Sequence, residues 1–295
     1  MAEHTFGGSW TEDKLTRLRK YLEAYTVIFT KNPKARLLKR IYVDAFAGSG
    51  VRSSGDHSDE SQDGLLFEPE GEALGFMKGS VRVALEIDPP FDQYVFIEKD
   101  PVFAGELNDL RSDYPELANR IEIRNGDANT VLVKWTRDTS WHGQRAVVFL
   151  DPYGMQVEWP TIEAIAQTEA IDLWLLFPLG QGVNRLLTCQ GPPPNAWADR
   201  LTTMFGTESW RETFYRRSDQ LGLFSDEPRL EKDATFDSIM RFFLDRLDSV
   251  FEMVAPNPLI LRNSRNSPIF GLCFAASNKK GAPTAVRIAK DLLKD

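Results

Sequence analysis

Four short, mostly apolar runs are each followed by an acidic residue, and this repeated pattern most constrains how the chain can fold. Helical patterns separate most of the runs, so the sequence predicts a parallel sheet built with right-handed crossovers. In such a sheet the carboxyl ends of the strands meet at one edge, where ligands bind. We therefore expect the acids that follow runs 41–43, 94–97, 121–123 and 146–150 to lie close together, namely Asp44, Glu98, Asp127 and Asp151.

Further runs complete the predicted sheet. Residues 171–177 form a fifth strand, and two β-like runs, one within 251–261 and one at 269–275, close the sheet as a hairpin. The run at 146–150 is almost wholly apolar, which is typical of a parallel strand covered on both faces. The predicted fold class is therefore α/β, with a doubly wound, mostly parallel seven-stranded sheet.

Composition divides the chain around this sheet. Residues 1–40 are predicted to be an N-terminal helical extension, because apolar residues recur at helical spacing over 11–30. The core then comprises 41–185 and 233–295. An insertion at 51–79, acidic and rich in serine and glycine, interrupts it, and a helical insertion is predicted at 186–232. Ser80 is expected to cap a short helix.

Charge and cysteine usage bear on compartment and partners. The net charge is −8, yet segment 14–40 carries nine basic residues against one acid and is therefore +8. Such a basic face can bind nucleic acid, or it can be an ordinary solvated helix surface. The two cysteines form no disulfide framework, and we see no signal peptide and no apolar stretch of ~20 residues. We expect a cytoplasmic protein that does not enter the membrane.

The loop after the first strand reads Asp44-Ala45-Phe46-Ala47-Gly48-Ser49-Gly50. Its glycines allow the backbone to approach a ligand closely and to present N–H groups to it. An acid just before such a loop suits a nucleoside-bearing cofactor that carries a positive charge. Glu98, about one βαβ step later once the insertion is removed, can accept from both hydroxyls of a ribose.

These features resemble those of the class I S-adenosylmethionine-dependent methyltransferases. The loop is similar to their first motif, in the Phe-x-Gly-x-Gly form of nucleic-acid methyltransferases, and the hairpin at 251–275 is similar to their reversed last strand. The resemblance implies a Rossmann-like methyltransferase fold with S-adenosylmethionine as cofactor. It places Glu98 at the ribose and Asp127 at the adenine amine. The implied cofactor-binding residues are Asp44, Phe46, Gly48, Gly50, Glu98, Lys99, Asp127 and Ala128.

Asp151-Pro152-Tyr153-Gly154 stands where amino-methyltransferases carry their catalytic motif. Asp151 and the Pro152 carbonyl could accept hydrogen bonds from an amine, and Tyr153 could stack on its ring. The alternative is a tight turn that caps a helix. Methyl transfer to carbon 5 of a pyrimidine needs a cysteine nucleophile, usually after a proline at this place. Neither cysteine of this chain follows a proline, so that reaction is disfavoured.

Three polar residues after the fifth strand are candidate substrate contacts: Gln181, Asn184 and Arg185. The alternative for these side chains is hydrogen bonding to nearby loop carbonyls. A magnesium-dependent nuclease is a weaker interpretation, because the acids stand one per strand and no lysine-bearing nuclease motif accompanies them. No metal site is predicted.

A narrower resemblance covers most of the chain. Tyr-Val-Asp-Ala-Phe-Ala-Gly-Ser-Gly, Val-Phe-Ile-Glu-Lys-Asp, Gly-Asp-Ala-Asn, Val-Phe-Leu-Asp-Pro-Tyr-Gly and Leu-Phe-Pro-Leu-Gly together resemble the bacterial three-Cys-motif partner (TcmP) family. This implies a protein partner with three cysteines that resembles radical S-adenosylmethionine enzymes. Two functions stay open: methyl transfer to a base amine of a nucleic acid or nucleotide, or an accessory subunit that transfers no methyl group.

Overall fold

A computed structural model describes residues 9–48, 77–189, 191–222 and 225–294. These residues form a mostly parallel central sheet with helices on both faces, which confirms the predicted fold class. Gly50 and residues 51–76 of the predicted acidic insertion lie outside the described residues. Among the described helices, none combines the length and the apolar character needed to cross a bilayer.

The central sheet has eight described strands in seven positions, because two short strands share the last position. Five strands are parallel, and the long strand near the chain's end runs antiparallel to the fifth. The strands in chain order are β1 (Lys39–Asp44), β2 (Gln93–Glu98), β3 (Ile121–Asn125), β4 (Gln144–Leu150), β5 (Ile171–Phe177), a separate hairpin β6 (Tyr215–Gly222) and β7 (Ser225–Lys232), then β8 (Met253–Val254), β9 (Leu259–Arg262) and β10 (Pro268–Ala276).

The order across the sheet is β3-β2-β1-β4-β5-β10-β8, with β9 also paired to β10. Both β8 and β9 run antiparallel to β10 and pair with different parts of it. The predicted reversed last strand is therefore confirmed. The chain reverses direction across the sheet between β1 and β4, and this switch point opens a crevice at the carboxyl edge.

Ten described helices cover the two faces of the sheet. They are α1 (Ser9–Lys31), α2 (Met77–Leu85), α3 (Pro101–Leu107), α4 (Leu110–Asp113), α5 (Ala128–Asp138), α6 (Trp159–Ala166), α7 (Asn195–Phe205), α8 (Trp210–Phe214), α9 (Phe236–Asp248) and α10 (Ala282–Leu292). A π-helical stretch, Leu179–Asn184, follows β5.

A hydrophobic core lies on each face of the sheet. Successive residues of a strand point to opposite faces and so pack into different cores. In β1, Ile41 and Val43 pack beneath α5 to α9, whereas Tyr42 packs on the face covered by α1, α2 and α10. On that second face α1 buries four side chains completely or nearly so: Leu18, Tyr21, Leu22 and Tyr25. The N-terminal helix is therefore an integral part of a helical layer.

Two local expectations need correction. Ser80 lies inside α2, which begins at Met77, so the prediction of a cap at Ser80 is wrong. Its hydroxyl hydrogen-bonds the Asp44 carboxyl group instead. Segment 186–232 contains the expected helices α7 and α8 but then continues as the β6–β7 hairpin. That hairpin is rich in charge and lacks apolar alternation, so periodicity could not reveal it.

Gly206 ends α7 and offers a sharp test of this packing. Its φ is +67°, and a Cβ there would stand 2.0 Å from Cδ1 of Trp159. We expect Gly206→Ala to lower the free energy of unfolding by about 2–4 kcal/mol, because left-handed backbone and overpacking both carry a cost. Denaturant titration measures the change.

Two other glycines serve as controls for that experiment. Gly105 has open space around its Cβ position, and Gly143 has open space but a φ of +79°. Gly105→Ala should be neutral or slightly stabilising, and Gly143→Ala should cost about 1 kcal/mol from backbone strain alone. A Gly206→Ala protein no less stable than Gly143→Ala would contradict the close packing of α7 on Trp159.

Candidate functional site

A cavity of about 380 Å³ opens at the carboxyl edge of the sheet. Residues that follow β1, β2 and β3 line one side of it. Five of the eight predicted cofactor-binding residues are among these lining residues: Phe46, Glu98, Lys99, Asp127 and Ala128. The structure thus brings together residues that lie far apart in the sequence, as the strand-end pattern predicts.

The Glu98 carboxylate holds the glycine loop in place. Its Oε2 accepts from the Gly48 N–H at 3.0 Å, and its Oε1 accepts from the Asp100 N–H at 2.7 Å. A Cβ at position 48 would stand 3.3 Å from Oε2, so this approach favours glycine. Burial raises the pKa of Glu98, and the two N–H groups oppose that shift. Each oxygen keeps a lone pair that a ligand hydroxyl could use.

Asp127 caps the N-terminus of α5. Its Oδ1 accepts from the Thr130 N–H at 3.0 Å and from the Thr130 hydroxyl at 3.2 Å. Within the described part of the chain, Oδ2 has no hydrogen-bond partner. The cap therefore orients the side chain at the cavity wall and leaves one oxygen for a ligand.

Asp44 lies at the end of β1 and is fully buried. Tyr42 donates its hydroxyl to Oδ2 at 3.5 Å, and the Phe46 N–H donates to Oδ1 at 3.3 Å. Burial raises the pKa of Asp44 to about 7, and the neighbouring Asp151 adds to that rise. Asp44 does not line the cavity, so it positions the loop from beneath.

Lys14 of α1 binds Asp151 at the next strand end. Its Nζ donates to Oδ2 at 2.5 Å, although only 6% of the lysine side chain is exposed. The ammonium also lies 5.5 Å from the ring centroid of Trp10 and partly offsets the rise in the Asp44 pKa. This part of the carboxyl edge therefore brings Asp44, after β1, and Asp151, after β4, together with one cation, Lys14 of α1.

The Asp151-Pro152-Tyr153-Gly154 stretch forms a turn beyond β4. Pro152 is buried, and the Tyr153 N–H donates to Oε1 of Gln156 at 2.9 Å. Asp151, Pro152 and Tyr153 are not among the residues that line the cavity, whereas Met155 and Gln156 are. The predicted catalytic residues thus flank the predicted cofactor cavity.

The three candidate substrate residues lie in and just after the π-helical stretch, away from the cavity wall. Asn184 is held by Lys232, whose Nζ donates to the Asn184 Oδ1 at 2.8 Å and to its carbonyl at 3.0 Å. Burial lowers the pKa of Lys232. The Asn184 side-chain oxygen is therefore engaged by a lysine rather than by a loop carbonyl, while Gln181 and Arg185 are exposed.

Sequence reasoning missed two groups at this edge. Arg200 and Thr203 of α7 line the cavity opposite the strand ends, and burial lowers the pKa of Arg200. Nothing in the sequence pattern links α7 to the strand ends. The position of Lys14 could have been inferred, because it stands four residues before Leu18 and so lies on the apolar face of α1.

The cysteines are poorly placed for nucleophilic chemistry. Cys273 is buried in β10, and burial raises the pKa of its thiol, so the reactive thiolate is disfavoured. Cys189 is exposed and follows the π-helical stretch. In the part of the chain that the structure describes, no group of three or more His, Cys, Asp or Glu residues is placed to hold a metal ion.

The strand order, the parallel strands and the reversed β10 define a class I methyltransferase-like α/β fold. No family model matches the chain, and no curated protein matches it. Similar solved structures include protein LPL1258 from Legionella pneumophila, of family DUF519, with 12% identity, a TM-score of 0.47, and coverage of 98% of this chain and 92% of that chain.

Two further solved structures are similar to this chain at low scores. The putative methyltransferase yhhF from Escherichia coli shows 14% identity over 74% of this chain and 87% of that chain, with a TM-score of 0.30. M. jannaschii TYW2 in complex with AdoMet shows 12% identity over 78% of this chain and 79% of that chain, with a TM-score of 0.26.

The raised pKa of Asp44 predicts a pH-dependent cost to stability. Between the unfolded pKa near ~4 and the folded pKa of about 7, the native protein keeps a proton that the unfolded chain releases. Stability from this group is therefore full below ~pH 4 and is lost by about pH 7, at up to ~1.4 kcal/mol per pH unit.

Asp44→Asn removes that titration. We expect its free energy of unfolding, relative to the wild type, to rise by about 2–4 kcal/mol between pH 4 and 7 and then to level off. Denaturant titrations across this range measure the difference. Asp109→Asn changes an exposed carboxyl group and should follow the wild-type profile. A constant difference between Asp44→Asn and wild type would show that folding does not raise the pKa of Asp44.

Proposed function

We propose that this chain is an S-adenosylmethionine-dependent methyltransferase that acts on a base amine of a nucleic acid or nucleotide, together with a three-Cys-motif partner. One observation carries the proposal. The cavity at the carboxyl edge gathers residues from three successive strand ends, and its carboxylates have free acceptor positions beside a tight glycine loop.

The residues at this edge fit such a cofactor. Glu98 presents a carboxylate whose remaining lone pairs suit two ribose hydroxyls, and Asp127 presents a free Oδ2 that suits an adenine amine. Lys99 and Arg200 line the same cavity and suit an amino-acid carboxylate. When bound, S-adenosylmethionine supplies a methyl group activated by its sulfonium charge.

The acceptor side rests on Asp151. Its Oδ2 accepts from Lys14, which fixes the carboxyl group and leaves Oδ1 to accept an N–H from a substrate amine. That hydrogen bond would orient the amine nitrogen towards the cavity and hold its proton. Tyr153, on the same turn, could stack on the base.

A second candidate is an accessory subunit that keeps the fold and transfers no methyl group. The observation that favours it is the same ion pair, because Asp151 already accepts from Lys14 and does not line the cavity. The two candidates differ in one measurable respect, namely the transfer of a labelled methyl group.

The proposed macromolecular partners have different support. For nucleic acid, segment 14–40 offers four basic residues without a hydrogen bond or ion pair from their side chains among the described residues: Lys20, Lys31, Lys34 and Arg36. The other five are engaged within the chain, with Asp151, Asp13, Glu86, Gln93 and Asp92.

The three-Cys-motif partner is supported by the family resemblance and is testable by coexpression and copurification.

Calorimetry with S-adenosylmethionine tests the cofactor assignment. We expect the wild type to bind and Glu98→Gln to bind at least about tenfold more weakly, because the amide is a poorer acceptor for two hydroxyls. Glu116→Gln, which changes an exposed acid outside the cavity, is the matched control. Absence of binding by the wild type would refute the cofactor assignment, and equal binding by Glu98→Gln would refute the role of Glu98.

Transfer of a labelled methyl group to pooled DNA, RNA and nucleotides tests catalysis. We expect Asp151→Asn to lower incorporation by about 10²-fold or more, since a positioned acceptor of an amine proton contributes that order of rate. Lys14→Met should lower incorporation, because Asp151 loses the group that orients its carboxyl group, and Lys14→Arg should partly restore it. No incorporation by a wild type that binds the cofactor would favour the accessory subunit.

A further inference from the structure

A second cavity lies at the opposite end of the sheet from the candidate site. Its volume is about 340 Å³, and α1, α10, the connector at 32–38 and the first residues of β4 and β5 enclose it. Asp172 is the second residue of β5, so five residues, roughly 16 Å of strand, separate it from the carboxyl edge. None of the residues predicted for cofactor, substrate or catalysis lines this cavity.

One side of the cavity is aromatic and aliphatic. Tyr25 and Phe29 stack with ring centroids 4.5 Å apart, and Ile28, Leu38 and Ile288 extend the apolar surface. The volume lies within the range of small-molecule sites, which are mostly apolar with a few placed polar groups. The occupant that fits this wall has an apolar body.

The charge of the lining indicates the sign of the ligand. Three cations, Lys34, Arg145 and Lys280, line the cavity against a single acid, Asp172. Among the described residues, none of these cations has an ion-pair partner. One oxygen of Asp172, Oδ2, already accepts from the Tyr21 hydroxyl at 2.7 Å. Burial also raises the pKa of Asp172 to about 7, which reduces its negative charge near neutrality.

An unpartnered hydroxyl marks where the polar end would lie. Tyr25 is 5% exposed, and its hydroxyl has no hydrogen-bond partner in the described structure. A buried polar group left unpaired costs about 1–3 kcal/mol. Asp172 and Arg145 both act electrostatically on this hydroxyl. An anionic oxygen between Tyr25 and Arg145 would supply the acceptor that the hydroxyl lacks and a counter-ion for the guanidinium.

We propose that this cavity binds a small amphipathic carboxylate. Its apolar body packs on Tyr25 and Phe29, and its carboxylate pairs with Arg145 and accepts from the Tyr25 hydroxyl. The site is separate from the proposed methyl transfer and does not depend on it.

Fluorescence of anilinonaphthalene sulfonate, an aromatic anion, tests the proposal in the full chain. Three competitors of equal chain length then separate charge from hydrophobicity: decanoate, decanol and decylamine. We expect decanoate to displace the probe at a concentration about tenfold below that of decanol, with decylamine weakest, because a charge-assisted hydrogen bond favours the anion. Equal displacement by decanoate and decanol would overturn the proposal.

Variants locate the probe. Arg145→Gln should bring the decanoate midpoint to that of decanol, and Ile288→Trp should weaken all ligands by filling the cavity. Arg287→Gln, on the exposed face of α10 and outside the cavity, should leave every midpoint unchanged. Retention of the decanoate preference by Arg145→Gln would refute the site. If Ile288→Trp fails to fold, Lys34→Gln with Lys280→Gln tests the cavity mouth, where an unchanged decanoate midpoint would also refute it.

Discussion

The ion pair between Lys14 and Asp151 joins the first helix to the edge of the sheet where the candidate site lies. Lys14 is almost fully buried, so its charge needs a partner, and Asp151 at the end of β4 supplies it. Further along α1, Tyr21 packs against Trp174 and Phe274 in the middle of the sheet. One helix therefore both covers a core and sets the electrostatics of the carboxyl edge.

Removing one partner of such a pair costs more than the pair itself contributes, because an uncompensated charge stays buried. The same edge holds Asp44, whose burial raises its pKa to about 7. The neighbouring Asp151 adds to the rise in the Asp44 pKa, and Lys14 partly offsets it. Burying Lys14 and Asp44 beside Asp151 costs desolvation free energy. Such clusters at a switch point are found where proteins bind ligands or catalyse reactions. On the face of the sheet that α1 covers, the opposite edge holds a half-buried acid, Asp172, beside a second cavity.

Much of the site could be predicted because strand ends are local features. An acid after an apolar run and a glycine loop can both be read from short stretches, and a parallel sheet brings successive strand ends together. This reasoning placed Glu98 and Asp127 at one cavity. It failed for Arg200, because α7 reaches the cavity through contacts of Phe205, Gly206 and neighbouring residues with α6 and α9. It also gave no sign that the Asn184 side chain accepts from Lys232, 48 residues further along the chain.

The sequence by itself determined the strands of the core, their parallel orientation and the acids at one edge. These follow from periodicity, from the handedness of crossovers and from residue types at strand ends. Only the tertiary structure decided which acids are free and which are engaged. Asp127 keeps an open oxygen, Asp44 is buried and Asp151 is paired with a lysine 137 residues away in the chain. A local pattern cannot contain that result, because burial and ion pairing depend on neighbours that the chain brings together only when it folds.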